Sequence, residues 1–251
     1  MSDIVNVPVR EAVAAFAASP NAQTSMDVLR HCLHGELLLD VTGSTMTIVD
    51  GEPVEAESLE IRCAEAPDGG PALLAFTSAA ELDRMHPDGT VTQPYGQPAT
   101  AVVEFAYAQE NGWLYLDAGG TTCAMPRASL ELAVDVPRND AVREALDRPD
   151  ALVGALQSEG VLLLAADPSQ TEQHAQGDLN AGIRSVDLPG GGRGLLAFTS
   201  APELLAHTAG DAVIVRTTRE ILAVLGDATY DALVLNSAGP TAIVAREALI
   251  G

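Results

Sequence analysis

A six-residue string, LLAFTS, occurs twice in this chain, at Leu73 to Ser78 and at Leu195 to Ser200. The match extends without a gap from Leu59 to Leu82, aligned on Ala181 to Leu204. Nothing else constrains the fold so strongly, because each copy must be a unit that buries the same apolar positions. The order of features outside that block also recurs. VREA plus an aliphatic residue stands at Val9 to Val13 and at Val142 to Leu146, followed by Pro20 or Pro149. Helical spacing comes next, Leu29 and Leu33 or Leu152 and Leu156, then Gly35 or Gly160, then the apolar runs Leu37 to Leu39 and Leu162 to Leu164. The far ends match as well, Leu114 to Leu130 on Leu233 to Leu249. Two tandem repeats are therefore expected, residues 1–134 and 135–251, with a boundary between Val134 and Asn139.

Local chemistry outlines each repeat. Asp27 and Asp150 sit near the start of a leucine-spaced helix, and Gly35 and Gly160 stand where a C′ glycine is expected. The short apolar runs that follow read as buried strands. PDGG at Pro67 to Gly70 and PGGG at Pro189 to Gly192 supply hairpin turn chemistry between two further strands. Ser78 with Glu81, and Ser200 with Glu203, spell capping boxes that end the strand and start a helix. Pro202 is compatible with a first helical turn. A second helix is predicted over Thr100 to Gln109 and Thr218 to Leu225, then a closing strand, a glycine turn and a last apolar stretch. The least similar segments, Thr42 to Ser58 with a hairpin at Met46 to Pro53 against Asp167 to Asn180, read as solvated loops; the copies diverge again at His86 to Pro98, read as a loop, against His207 to Thr217. Adjacent strand pairs flanked by helices imply an α/β (α+β) architecture with a mixed, partly antiparallel sheet in each repeat, the two related by a pseudo-twofold axis.

Charge narrows the partners. The 251 residues carry 13 Lys or Arg, all of them Arg, against 35 Asp or Glu, a formal −22. Such a field repels phosphate backbones and anionic lipid, so nucleic-acid and membrane partners are not expected, whereas a protein with a basic surface would be steered in. The same charge also serves plain solubility. The absence of Lys and the abundance of Ala, Gly, Val and Arg suggest a GC-rich bacterial genome. Cys32, Cys63 and Cys123 are odd in number and widely spaced, without a CxxC pair, which fits a reducing compartment and gives no metal or disulfide framework. No basic and apolar leader and no membrane-length apolar stretch stands out, so a cytoplasmic location is expected.

Candidate chemistry is sparse. His31, His34 and Cys32 could offer metal-binding atoms on a helix, but no third ligand lies nearby in sequence. His86 and His207 are the one loosely recurring pair among the five histidines, which also include His174. Gly190 to Gly194 precedes a strand and aligns with PDGG, so it reads as a turn and not as a phosphate cradle. Ser78 and Ser200 lack a GxSxG elbow and are explained by capping. The acidic stretch with Glu52, Glu55 and Glu57 lacks calcium-loop spacing. No catalytic set, cofactor or metal is expected. Divergence between the repeats marks the candidate partner-binding residues instead: Glu52, Glu55 and Glu57, the His86 to Pro98 loop, and the aromatic set Tyr107, Trp113 and Tyr115.

The twice-occurring FTS leading into a Glu-Leu helix, together with the late strand ending LNSAGP at Leu235 to Pro240, resembles the SseB family, named for enhanced serine sensitivity. Two copies of that family's N-terminal-type domain would fill the chain. Copy one departs from the pattern where Asp117 and AGG replace the Asn and its turn. The resemblance brings no catalytic residues with it, and it implies an association with specialised secretion. The expected function is a non-catalytic binding or adaptor protein with a groove between or across the repeats, in a narrower form a chaperone or immunity factor of a secretion or toxin system. The alternative is a small-molecule sensor, for an amino acid such as serine, or an enzyme, with a pocket at Thr77, Ser78, Thr199 and Ser200.

Overall fold

Leu73 to Phe76 lie in the six-residue strand β5 (Pro71–Phe76), whose members after Pro71 are all buried. A strand buried on both faces needs cover above and below, and the rest of the first repeat provides it. In the computed structural model the described residues are 5–49, 52–110, 112–170, 181–226 and 229–250, with 46–58 described in backbone only. They form two compact units, 1–134 and 135–251.

The first unit opens with α1 (Val7–Ala18) and α2 (Ala22–His31), each started by an asparagine side chain that accepts a backbone N–H. Asn21 and Thr24 complete a full capping box, so α2 begins before the Asp27 at which its leucine spacing becomes visible. Strand β1 (Glu36–Asp40) follows, then the hairpin of β2 (Thr45–Val49) and β3 (Glu52–Ser58), then β4 (Cys63–Glu65) turning at PDGG into β5. The hairpin anticipated at Met46 to Pro53 is real and runs on to Ser58. After β5 come α3 (Ala79–Asp83), β6 (Pro94–Pro98), α4 (Ala99–Ala108), β7 (Trp113–Leu116), β8 (Cys123–Met125) and α5 (Arg127–Val134).

The strand order is β6-β1-β5-β7-β8, with β4 continuing the β1 side of β5. Only the β5–β7 pair is parallel; the others are antiparallel. Pleating sends Leu38, Leu74 and Phe76 to one face, where Leu82 of α3 and the ring of Tyr115 cover them. Leu39 faces the other way, toward Val102 of α4. One expectation fails here: β6 lies inside the His86 to Pro98 stretch read as a loop. Pro94, Gly96 and Pro98 are poor strand formers, tolerated because β6 is the sheet edge.

The second unit repeats this order with α6 (Asp140–Glu144), α7 (Pro149–Gln157), β9 (Val161–Ala166), β10 (Ser185–Asp187), β11 (Arg193–Ala197), α8 (Ala201–His207), β12 (Ala212–Thr217), α9 (Thr218–Gly226), β13 (Ala232–Leu235), β14 (Ala242–Ala245) and α10 (Arg246–Ile250). Its β11–β13 pair is parallel in the matching register, Leu195 opposite Leu233 as Leu73 is opposite Leu114. A bridge between Leu163 and Phe198 places β9 beside β11, as Leu38 and Phe76 place β1 beside β5. Strand β12 occupies the divergent stretch His207 to Thr217 of this repeat. The mixed, partly antiparallel sheet flanked by helices is thus present in both repeats. Among the described residues no helix is long and apolar enough to cross a membrane.

Two glycines do a different job from the one expected. Helix α2 ends at His31 and α7 at Gln157, so Gly35 and Gly160 lie beyond C′. Each instead lies under an asparagine: a Cβ on Gly35 would stand 3.1 Å from Asn6 Nδ2, and one on Gly160 2.7 Å from Asn139 Nδ2. The amide needs that space to bond the strand entering beneath it. Asn6 Nδ2 donates to the carbonyls of His34 and Glu36, and Asn139 Nδ2 to that of Val161.

Candidate functional site

The second halves of the FTS strings sit at the C-terminal ends of the parallel strand pairs, and the polar chemistry there is the same in both units. Asn6 N–H donates to Thr77 O at 2.9 Å, and Asn139 N–H to Thr199 O at 2.8 Å. Thr77 in turn gives its backbone N–H and its hydroxyl to the two carboxylate oxygens of Asp117, both at 2.8 Å. Thr199 gives its N–H to Asn236 Oδ1 at 2.9 Å, and Asn236 Nδ2 donates to the Thr199 hydroxyl. Asp117 and Asn236 each close their strand with a positive φ, 51° and 48°, a region Asn and Asp enter more readily than most residues. Burial pushes the Asp117 carboxyl above the usual range, against the pull of the two Thr77 bonds. The second repeat holds a neutral amide in the same place.

Capping differs from expectation. The Ser78 hydroxyl accepts from the Glu81 N–H, so half of the box forms, but the Glu81 carboxylate bonds Arg84 at 2.6 and 2.7 Å instead of reaching back. Ser200 makes no side-chain cap bond at all. Pro202 removes one of the two amides an N-cap serine can serve, and the Ser200 hydroxyl is buried with no hydrogen-bond partner among the described residues. Glu203 is 1% exposed and lies within the buried side of α8. The bond accepted by the serine hydroxyl therefore forms at Ser78 and not at Ser200.

A buried ionic cluster was not legible in the sequence. Asp40, at the end of β1, has a fully buried side chain whose Oδ2 lies 2.8 Å from His86 Nε2 and 3.2 Å from Arg62 Nε; its Oδ1 accepts the Thr42 N–H at 3.0 Å. Burial would raise this carboxyl, but the Thr42 and His86 bonds outweigh it and hold it below the usual range. Among the described residues no serine, threonine or cysteine side chain is hydrogen-bonded to the His86 ring. The cluster is private to the first unit: Ala165 takes the place of Asp40, and Arg184, aligned with Arg62, pairs with Asp211 through two bonds of 2.8 and 3.0 Å.

The thiols are not activated. Burial raises all three, Cys123 to about 12. Cys32, between His31 and His34, is wholly buried. His207 stacks near Phe198 at 5.7 Å, and His174 lies outside the described residues.

The aromatic candidates do not share a surface. Tyr115 and Trp113 meet edge to face at 6.1 Å on the α3 side of the sheet. Tyr107 belongs to α4, on the opposite side, with the Arg127 guanidinium 4.2 Å above its ring. Trp113 Nε1 donates to Asp68 in the PDGG turn, and that bond with the Gly70 amide holds the Asp68 carboxyl low. Glu52, Glu55 and Glu57 lie on β3, their side chains outside the described residues.

What the first unit does present is an apolar groove of about 280 Å³ between the edge strand and α4. Leu39 and Val102 form its floor, Ile61, Tyr95 and Gln97 one wall, and Ala101 and Phe105 the other. Phe105 is 42% exposed. Of the corresponding residues of the second unit, Leu164, Ile221 and Val224 belong to one continuous core, and Ile183 and Ile214 pack against it partly buried. Shorter β-branched side chains stand there in place of Tyr95 and Phe105 and pack directly. No periodicity announces the groove, because β6 was not recognisable as a strand.

A family model, the SseB protein N-terminal domain, matches the chain twice, over residues 9–131 and 140–250. No curated protein and no solved structure matches it.

Proposed function

The chain belongs to the SseB family as two tandem copies of that family's N-terminal domain, and from there we propose that it is a non-catalytic protein-binding or adaptor protein that binds through its first repeat. The observation that carries this is the open apolar groove, lined by Tyr95 and Phe105 where the sister repeat packs the smaller Ile214 and Val224 on its core. Duplication leaves one copy free to diverge while the other keeps a closed core. The shared polar centres support the reading, since Thr77 with Asp117 and Thr199 with Asn236 satisfy each other inside the fold. In its narrower form, which rests on the family alone, the protein accompanies specialised secretion or toxin components in the cytoplasm as a chaperone or immunity factor.

The test is affinity capture from the native host with the wild-type chain and with Ala101→Leu, which fills the groove. A partner protein enriched reproducibly by the first and lost with the second is the expected result; absence of any reproducible partner overturns the reading. An amino-acid sensor or enzyme with its pocket at Thr77, Ser78, Thr199 and Ser200 is the weaker reading, because all four are at most 5% exposed. Thermal stabilisation by a metabolite panel that includes serine would favour it instead.

A further inference from the structure

The groove lies beside a strand that cannot easily be extended. Register pairs Leu39 with Tyr95 and Leu37 with Gln97, and the ladder continues through Val41 N–H to Gln93 O and Ala99 N–H to Gly35 O. Antiparallel alternation then turns the backbone of Pro94, Gly96 and Pro98 outward. Two of these three positions have no N–H, and the Gly96 carbonyl already accepts from Gln97 Nε2 at 2.7 Å. An incoming strand would find one donor, so main-chain pairing contributes little and side-chain burial must supply the affinity.

Size and charge identify what is buried. At about 280 Å³ the groove stands at the small end of the roughly 300–1,000 Å³ typical of ligand sites, with room for one large apolar side chain. Its unit carries 5 of the 13 arginines and 19 of the 35 acidic residues, a formal −14 against −8 for the other. Glu60 and Glu104 adjoin the lining residues Ile61 and Phe105 in the chain and are exposed. Arg62, on the other side of Ile61, is paired with the buried Asp40, so the unit's net −14 dominates and a ligand with flanking cations is steered in.

We propose that the groove receives a single large apolar side chain of a basic segment in a partner protein, flanked by Lys or Arg and bound without adding a strand to β6. This rests on the protein-binding reading above and names the chemistry of its partner.

Dye-labelled short peptides and fluorescence anisotropy on the full chain test it. The parent peptide has a central Phe between Lys and Arg flanks; its variants replace Phe by Ser, replace the flanks by Glu, or carry alternate N-methylated backbone amides. The expected results are saturable binding of the parent that weakens with salt, at least about tenfold weaker binding of the Ser variant, no binding of the Glu variant and full binding of the N-methylated one. Ala101→Leu should lose at least about tenfold without a fall in Tm, and Phe105→Ser, at a half-exposed position, gives the same loss if the first variant folds poorly. Equal binding by wild type and both variants, equal binding of the Glu-flanked peptide, or abolition by N-methylation each overturns the inference. If no peptide binds while groove-dependent capture yields a partner, this inference falls and the adaptor reading stands; if capture also fails, both fall.

Discussion

Asp117 takes both donors of Thr77, the backbone N–H at Oδ1 and the hydroxyl at Oδ2, each at 2.8 Å. Forty residues separate the two, and Asn236 occupies the equivalent place opposite Thr199 without a charge. Because burial raises the Asp117 carboxyl, the native state binds this proton more tightly than the unfolded chain. Stability therefore falls as pH rises from the ordinary aspartate pKa through the native one, and the penalty persists at neutral pH. Asp117→Asn, the substitution the second repeat already carries, should stabilise by about 1 kcal/mol at neutral pH, a gain of a few degrees in Tm that shrinks in acid. Asn236→Asp should do the reverse. Thermal melts across acidic to neutral pH check both signs.

The two FTS serines should part company. Ser78→Ala removes a working N-cap and should cost about 1 kcal/mol. Ser200→Ala removes a buried hydroxyl that has no partner among the described residues, so it should be neutral or slightly stabilising. Urea midpoints distinguish the pair, and an equal loss in both would restore capping to Ser200.

Gly160→Ala places a methyl 2.7 Å from Asn139 Nδ2 and pushes that amide off the Val161 carbonyl. A cost of about 1–3 kcal/mol is expected from the loss of this part-buried bond. In the Asn139→Ala background the same change should cost much less, a non-additivity that a double-mutant cycle measures directly.

His86→Ala withdraws one of the partners of the fully buried Asp40 carboxylate and should cost about 1–3 kcal/mol at neutral pH. Asp40 is held below the usual carboxylate range, so its contribution is present above the ordinary aspartate pKa and is lost as pH falls through the native one. Asp40→Asn should accordingly flatten part of the acid limb of the stability profile, which denaturation at a series of acidic pH values reads out.

Much of the architecture was legible because LLAFTS repeats in register, and a string that must be a buried strand twice fixes its neighbours. Strand β12, AVIVRT, was readable in principle from its β-branched residues, whereas β6, PYGQP, was not: an edge position forgives the very residues that normally exclude a strand. Missing β6 also hid the groove, since one wall of it is that strand. The clamp from Asn6 and Asn139 did leave a signal, an Asn three residues before Val9 and Val142 in both copies, just ahead of the VREA string. The Asp40, Arg62 and His86 cluster left none, because it occurs once and its members come from three distant segments. The aromatic grouping failed on pleating: Trp113 and Tyr115 share a face by alternation, and Tyr107 lies on the helix across the sheet.

Pro94 and Pro98 have a consequence for crowded solutions. Sheets with an unprotected rim recruit one another, and a hydrophobic recess beside such a rim makes self-recruitment worse. Here the recess stays open while the rim offers a single outward N–H, at Gly96. Copies of the molecule can accumulate with that recess exposed and still lack, along this border, a template for growing fibrils.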